Sequence, residues 1–122
     1  MKKGPLAEAQ VVACLQEHGW PYAERRVMGG RNDRGDVSGV PGVVVEVKSQ
    51  VALDLAGWLS EAEVERENLC HETGRTVHAA AKCPVVAVVW HKRRGKGSPL
   101  DWYVTMTGRD FLALLTEYTR EA

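Results

Sequence analysis

Hydrophobic and polar positions along the chain follow two different periods, which separate helices from strands. Apolar residues recur at helical spacing after Pro5, a residue that suits a first helical turn, and again over 53–72 and 108–120. Valine-rich runs at 43–49 and 84–91 indicate strands instead. The predicted order is helix 5–18, strand 21–28, loop 29–34, hairpin strands 35–40 and 43–49, helix 53–72, strands 84–91 and 101–106, and helix 108–120.

This order predicts an α/β fold in which helices pack on a mixed β-sheet. Strand 84–91 is apolar throughout, as expected of a central strand buried on both faces, and 101–106 is its expected antiparallel neighbour. The last helix carries an apolar stripe of Phe111, Leu112, Leu114, Leu115 and Tyr118. Helix 53–72 places Leu55, Leu59 and Ala62 on one face, with Trp58 alongside. That face is predicted to pack on the sheet, and the many glutamates of the helix are interpreted as its solvated side.

Two charges interrupt the valine run Val43–Lys48. Side chains alternate along a strand, so Glu46 and Lys48 share one face and lie roughly 7 Å apart, while Val45 points the other way. Burial of these charges is costly unless a metal or phosphate offsets it. A solvent-exposed hairpin with an ordinary ion pair is the alternative. The coincidence with Asp36 and a turn favours a functional site.

The position of Asp36 depends on the hairpin register. A two-residue Pro41-Gly42 turn would pair Asp36 with Val47 and direct it to the wrong face. A three-residue Val40-Pro41-Gly42 loop, with Gly42 in the left-handed conformation, places Asp36 opposite Glu46 with Cβ atoms about 5 Å apart. Two adjacent carboxylates favour a hard divalent cation, Mg²⁺ or Mn²⁺, and the Val47 carbonyl is a further candidate ligand.

Glu8 is a third candidate carboxylate. It precedes Val11, Val12 and Leu15 at helical spacing and so lies on or beside the apolar stripe of the first helix. A first-turn glutamate that complements the helix dipole is the alternative interpretation. Its inward direction favours a place near Asp36 and Glu46.

Together these residues resemble the core of the PD-(D/E)xK nucleases, and within them most closely the archaeal-type Holliday junction resolvases and their phage relatives. The matching residues are Glu8 in the first helix, Gly35-Asp36, and Val45-Glu46-Val47-Lys48. The segment Ala23-Glu24-Arg25-Arg26-Val27 corresponds to a strand that bears an arginine in those proteins. Gly35 replaces the usual proline, and Gln50 is the only glutamine near Lys48, where it is a possible accessory donor.

The resemblance implies a restriction-endonuclease-like three-layer sandwich with a central mixed sheet. It also implies Mg²⁺-dependent hydrolysis of phosphodiester bonds in branched DNA, such as four-way junctions. The catalytic residues would be Glu8, Asp36, Glu46 and Lys48, and the metal ligands would be Asp36, Glu46, Val47 and Glu8. Because a junction needs two symmetric cuts, a homodimer is expected.

Length and composition predict a single domain over residues 1–122, because 122 residues at 44% hydrophobic support one modest core. Sixteen basic and sixteen acidic residues leave no net charge, so DNA binding has to depend on local clusters. The candidate DNA-binding residues are Arg25, Arg26, Arg31, Arg34, Lys92, Arg93, Arg94 and Lys96. The run from Lys92 to Lys96 is predicted as a loop, for which a merely solubilising role is the alternative.

The three cysteines match neither a disulfide scaffold nor a common zinc pattern. Cys70, His71, His78 and Cys83 could in principle supply two sulfurs and two nitrogens to zinc, but buried thiols and ordinary histidines are the preferred interpretation. The sequence shows no apolar signal segment or membrane-length run. The expected location is the cytoplasm of a prokaryotic cell or of a phage-infected host, without membrane association.

Three alternatives stay open. One is another nuclease with the same metal chemistry that acts on flaps, ends or single strands. Another is a catalytically silent module that binds DNA or a partner. The last is an interaction protein whose acidic helix binds a partner, and it is ranked lowest.

Overall fold

The computed structural model describes residues 3–26, 36–72 and 85–120. Its elements are α1 (Lys3–Glu17), β1 (Glu24–Arg25), β2 (Val37–Ser38), β3 (Val43–Lys48), α2 (Leu55–Glu72), β4 (Val86–His91), β5 (Tyr103–Thr105) and α3 (Gly108–Arg120), with a 3₁₀ turn at Pro99–Asp101. The predicted element order is confirmed for these residues, although β1, β2 and β5 are shorter than expected. The predictions for residues 27–35 and 73–84 lie outside the described residues.

The strands form one sheet in the order β1-β2-β3-β4-β5. β3 and β4 run parallel, with α2 as their crossover, and the other neighbouring pairs are antiparallel. The predicted α/β class and mixed sheet are therefore confirmed, as is the antiparallel pairing of β5 with β4. The arrangement is compatible with a three-layer sandwich, because α1 and α2 lie on opposite faces of the sheet.

The core has two parts, one on each face of the sheet. Val45 and Val47 of β3 pack with Val88 of β4 beneath Ala7 and Val11 of α1. The core on the opposite face joins β3 and β4 to α2. It comprises Val44, Trp58, Ala62, Cys70, Val85, Ala87 and Val89. The alternation of β3 predicted from its sequence thus directs Glu46 and Lys48 towards α2.

Local hydrogen bonds fix the ends of the helices. Asp54 precedes α2, and its Oδ1 accepts a hydrogen bond of 3.1 Å from the Gly57 N–H. Thr107 precedes α3, and its Oγ1 accepts one of 3.2 Å from the Asp110 N–H. α1 stops near Gly19, whose φ of 102° belongs to the left-handed region that favours glycine. These caps set where the helices that carry the charged residues begin and end.

The apolar stripe of α3 is not buried against the sheet, contrary to the usual meaning of such a pattern. Phe111 is 49% exposed and Tyr118 is 79% exposed. Buried Asp110 anchors the helix instead: its Oδ1 accepts a 2.6 Å hydrogen bond from Arg66 of α2, and its Oδ2 accepts one of 3.0 Å from the Ala87 N–H. Because β5 ends at Thr105, this carboxylate occupies the place of a missing strand partner.

The cysteines depart in part from expectation. Cys14 is free and buried. The prediction that Cys70 is an ordinary buried thiol is wrong, because Cys70 is disulfide-bonded and so is not an available zinc ligand. His78 and Cys83 lie outside the described residues. Across residues 3–26, 36–72 and 85–120, no helix has both the length and the apolar character needed to cross a bilayer.

Candidate active site

The β2–β3 hairpin has the register predicted for a three-residue loop. Val37 pairs with Val45, which places Asp36 opposite Glu46. The Val43 N–H donates a 3.2 Å hydrogen bond to the Val40 carbonyl, and Gly42 has the predicted positive φ, 78°. The turn chemistry thus brings the two carboxylates to one side of the sheet.

Asp36 is held rigidly beside β3. Its N–H donates to the Val45 carbonyl at 2.9 Å, and its Oδ2 accepts a 2.7 Å hydrogen bond from the Val47 N–H. Asp36 and Glu46 are only 6% and 5% exposed. Two carboxyl groups of the site are therefore removed from water.

Burial changes the acidity of both groups. Burial and then the nearby Glu46 raise the pKa of Asp36 to about 8, although the hydrogen bond from Val47 opposes this shift. Burial and then the neighbouring Glu65 raise the pKa of Glu46 to about 9. Without a cation, both carboxyls are thus largely protonated at neutral pH.

Lys48 lies among carboxylates on the same face. Its Nζ donates a 2.9 Å hydrogen bond to Glu61 Oε2 and is 3.5 Å from Glu46 Oε1. Burial alone would lower the pKa of Lys48, but Glu61, Glu46 and Asp36 together raise it above its ordinary value. Lys48 is accordingly a charged ammonium group next to the buried carboxyls.

α2 contributes two glutamates to this face, Glu61, which is exposed as predicted, and Glu65. Glu65 is 1% exposed, so the prediction that all the α2 glutamates face solvent is wrong for this residue. Ligand oxygens of Glu46, Glu61 and Glu65 all lie within 4.8 Å of one another, and we call these three residues the carboxylate cluster. Spacing carried a signal, because Trp58, Ala62 and Glu65 follow one another at i, i+4 and i+7 along a single buried face.

Glu8 lies apart from this cluster. Its Oε1 accepts a 3.0 Å hydrogen bond from Arg25 Nε, and α1 packs on the opposite face of the sheet from α2. Its influence on Asp36 is the weakest of those that raise the Asp36 pKa. The structure therefore brings Asp36, Glu46 and Lys48 together, and it pairs Glu8 with a residue that had been predicted to bind DNA.

Two minor candidates of the predicted site have clear placements. Gln50 Oε1 accepts a 3.2 Å hydrogen bond from Trp58 Nε1, so Gln50 supports the packing of α2. The Val47 carbonyl faces β2, because β4 uses the alternate carbonyls of Gly42 and Lys48 on the other side of β3. It is thus directed to the side on which Asp36 lies.

The basic loop between β4 and β5 is present as predicted. Arg94 and Lys96 are exposed. The Lys92 ammonium lies 5.9 Å from the Trp102 ring centroid, and the Arg93 guanidinium lies 4.8 Å from that of Tyr103. Elsewhere, Arg26 is half-buried after β1. Of the remaining candidate DNA-binding residues, Arg31 and Arg34 lie outside the described residues.

His91 is a neighbour of the site that sequence reasoning missed. It pairs with Lys48 at the carboxyl ends of the parallel strands β3 and β4. Its ring centroid is 5.7 Å from that of Trp58 and 5.9 Å from that of Tyr103, and burial lowers its pKa. His91 therefore joins Trp58 and Tyr103 in an aromatic group next to the strand position of Lys48, which the strand register reveals.

No family model matches this chain, and comparisons with the curated proteins and with the solved structures give no significant match. A functional assignment must therefore rest on the motif and the geometry of these residues.

Proposed function

We propose that this protein is a metal-dependent, structure-selective DNA endonuclease of the PD-(D/E)xK type, similar to Holliday junction resolvases. One observation carries the proposal: Asp36 and Glu46 are buried opposite each other on adjacent strands, with Lys48 beside Glu46 on the same face. The site lies near the carboxyl ends of β3 and β4, the edge where ligands bind in open α/β sheets. A restriction-endonuclease-like fold is part of the same proposal.

The available ligand atoms suit Mg²⁺ or Mn²⁺. They are carboxylate oxygens, which hard divalent cations prefer. Glu46 Oε2 is buried and receives no hydrogen bond from any described residue, so a positive partner would satisfy it. When bound, such a cation would supply a Lewis acid and lower the pKa of a coordinated water.

The remaining residues have distinct roles in this proposal. Asp36 and Glu46 hold the cation, and the hydrogen bond from the Val47 N–H fixes the orientation of the Asp36 carboxylate. Lys48 stabilises negative charge that develops on the scissile phosphate or orients the attacking water. The Val47 carbonyl is available on the Asp36 side of β3.

Binding of DNA would rely on the phosphate backbone. With no net charge on the chain, attraction has to come from a local concentration of cations. Exposed Arg94 and Lys96 lie in the loop that follows β4, and β4 pairs with β3 beside Lys48. Contacts of this kind read backbone shape rather than base sequence, which suits a junction substrate.

A homodimer completes the proposal. A single active site cuts one strand, and a four-way junction requires two symmetric cuts, which a two-fold dimer provides. The exposed apolar stripe of α3 is the dimer surface that we favour, because Phe111, Leu112, Leu114, Leu115 and Tyr118 are all exposed.

The direct test is cleavage of labelled synthetic DNA by the purified protein in Mg²⁺. A four-way junction, a flap, a matched duplex and a single strand would be compared for the wild type, Glu46→Gln and Lys48→Ala. Glu67→Gln is the matched control, because Glu67 is an exposed glutamate on α2. Paired symmetric nicks in the junction alone, lost in the two site variants and kept in Glu67→Gln, are the expected result.

The other outcomes separate the alternatives. Preferential cutting of flaps, ends or single strands would retain the metal nuclease and remove the junction specificity. Junction binding without cleavage in either Mg²⁺ or Mn²⁺ would indicate a silent DNA-binding module and refute the proposed chemistry.

A further inference from the structure

One residue on the buried side of α2 is ionisable. Glu65 heads the largest fully buried side chains of the described residues and lies in the face of α2 that packs on β3 and β4. Glutamate is almost never fully buried unless a positive partner accompanies it. A helix needing only to cover this sheet would carry an apolar residue at position 65.

Glu61 and Glu65 are one turn apart on α2, so both side chains project from the same side of the helix. Like charges at this spacing repel each other, and here a third carboxyl, Glu46, joins them within 4.8 Å. The Lys48 ammonium contacts Glu61 and Glu46 on one side of the group. This ammonium is therefore shared between Glu46 and Glu61.

A separate observation indicates where a further cation belongs. Glu46 is 5% exposed, and its Oε2 receives no hydrogen bond from the described residues, whereas its Oε1 is the atom near Lys48. Among its neighbours Glu65 acts most strongly on Glu46. A buried oxygen without a donor, next to a second buried carboxyl, is costly unless a positive charge lies beside it.

Glu8 is not placed to bind a cation beside Glu46. Its carboxylate is bound by the Arg25 guanidinium at 3.0 Å, and its helix lies on the valine face of the sheet. To ligate a cation beside Glu46 it would have to leave Arg25. Glu65 needs no such rearrangement, because its carboxyl already lies among the ligand oxygens.

We propose that Glu65, rather than Glu8, is the third carboxylate of the metal centre: it binds a divalent cation together with Glu46, while Glu61 holds Lys48 beside it. This inference rests on the proposed metal-dependent function. It assigns Glu8 a positioning role through Arg25 at the start of the sheet.

Binding of Mn²⁺ to the full chain, followed by calorimetry and by the EPR signal of free Mn²⁺, tests the inference without any activity assay. The variants are Glu65→Gln, Glu8→Gln and the matched control Glu67→Gln. We expect Glu65→Gln to weaken binding by at least about 10-fold, the smallest loss typical of residues that support a metal. Glu8→Gln and Glu67→Gln should stay close to the wild type.

Thermal melts in EDTA and in Mn²⁺ exclude a merely structural explanation. Glu65→Gln is nearly isosteric and removes a buried ionisable group, so its metal-free melting temperature should not fall while its stabilisation by Mn²⁺ shrinks. Glu65→Asp, which keeps a shorter carboxylate, should show intermediate binding even if the Gln variant folds poorly.

Two results would overturn the inference in different ways. If the wild type binds Mn²⁺ and Glu46→Gln does not, but Glu65→Gln binds normally, Glu65 is not a ligand and the proposed function survives. If the wild type itself binds no Mn²⁺, the metal centre and the proposed function fail together.

Discussion

The two faces of β3 are built from neighbouring residues of one short strand and serve different ends. Val45 and Val47 face α1 in a purely apolar core, whereas Glu46 and Lys48 face α2 among other charges. Both faces are withdrawn from water, since Val45 and Glu46 are 3% and 5% exposed. A strand selected for stability alone would be apolar on both faces, as β4 is at Val88 and Val89.

The difference locates a cost in folding free energy on the face of β3 that packs on α2. Burial of an ionised group costs several kcal/mol even in a relaxed protein. Without a cation, Asp36 and Glu46 reduce this cost by retaining protons, as their raised pKa values show. The valine face has no such cost, because its core residues are apolar. A free-energy cost that is confined to one face, around an ordered pair of carboxyls, is typical of functional sites. Variants on the two faces should therefore differ in the sign of their effects.

Glu46→Gln and Val45→Ala should produce the largest contrast. Glu46→Gln removes a proposed metal ligand, so metal-dependent cleavage should fall by more than about 100-fold, the upper range for an outer-shell partner. In EDTA its free energy of unfolding at neutral pH should match or exceed that of the wild type. Val45→Ala should lower that free energy by roughly 2 kcal/mol through lost burial and a cavity.

Cleavage rates on the preferred DNA and urea unfolding curves would measure both effects. Val45→Ala should retain its rate and its Mg²⁺ dependence at temperatures where it remains folded. A Glu46→Gln protein that is clearly less stable in EDTA would mean that this carboxyl supports the fold, and the contrast between the faces would be lost.

The pH dependence of stability should come from the α2 face. In the unfolded chain Asp36 and Glu46 titrate near 3.8 and 4.5, whereas in the folded protein their pKa values are about 8 and 9. Between these limits the folded state binds more protons than the unfolded state. Metal-free stability should therefore fall as pH rises from about 4 to about 9, by at most about 1.4 kcal/mol per pH unit for each retained proton.

Urea unfolding in EDTA across this range would show the slope. It should be shallower in Glu46→Gln and unchanged in Val45→Ala, and added Mg²⁺ should reduce it by replacing protons. Metal-free stability that stays constant or rises with pH would contradict the raised acidities and the protonated state assigned to the pair.

Sequence reasoning succeeded where local chemistry decides the outcome. Proline and glycine in the Val40-Pro41-Gly42 loop specify the hairpin, so the Asp36 and Glu46 pairing was predictable from turn geometry and strand period. The bounds of α3 follow from the Thr107 cap and its periodic pattern. Both features involve residues close together in the chain.

Sequence reasoning failed where packing between elements that are distant in the chain determines the position of a side chain. The burial of Glu65 depends on the angle at which α2 packs on the sheet, and the capture of Glu8 depends on Arg25, seventeen positions away in the chain. The exposure of the apolar stripe of α3 could not be predicted either. An amphipathic pattern does not reveal whether the apolar side packs on the same chain or on another.

The smallest expected effect concerns the basic loop, which lies outside both faces. Replacing exposed Lys96 or Arg94 by alanine should weaken junction binding only modestly and should reduce the slope of log affinity against log salt by about 1 for each lost phosphate contact. Stability should not change, because neither side chain is buried.

Arg109→Ala is the matched control, since Arg109 is an exposed cation on α3. Fluorescence anisotropy of a labelled junction in EDTA, measured over a series of salt concentrations, gives these slopes. An unchanged slope in both loop variants would mean that the loop only solubilises the chain, and that phosphate contacts come from elsewhere around the charged face.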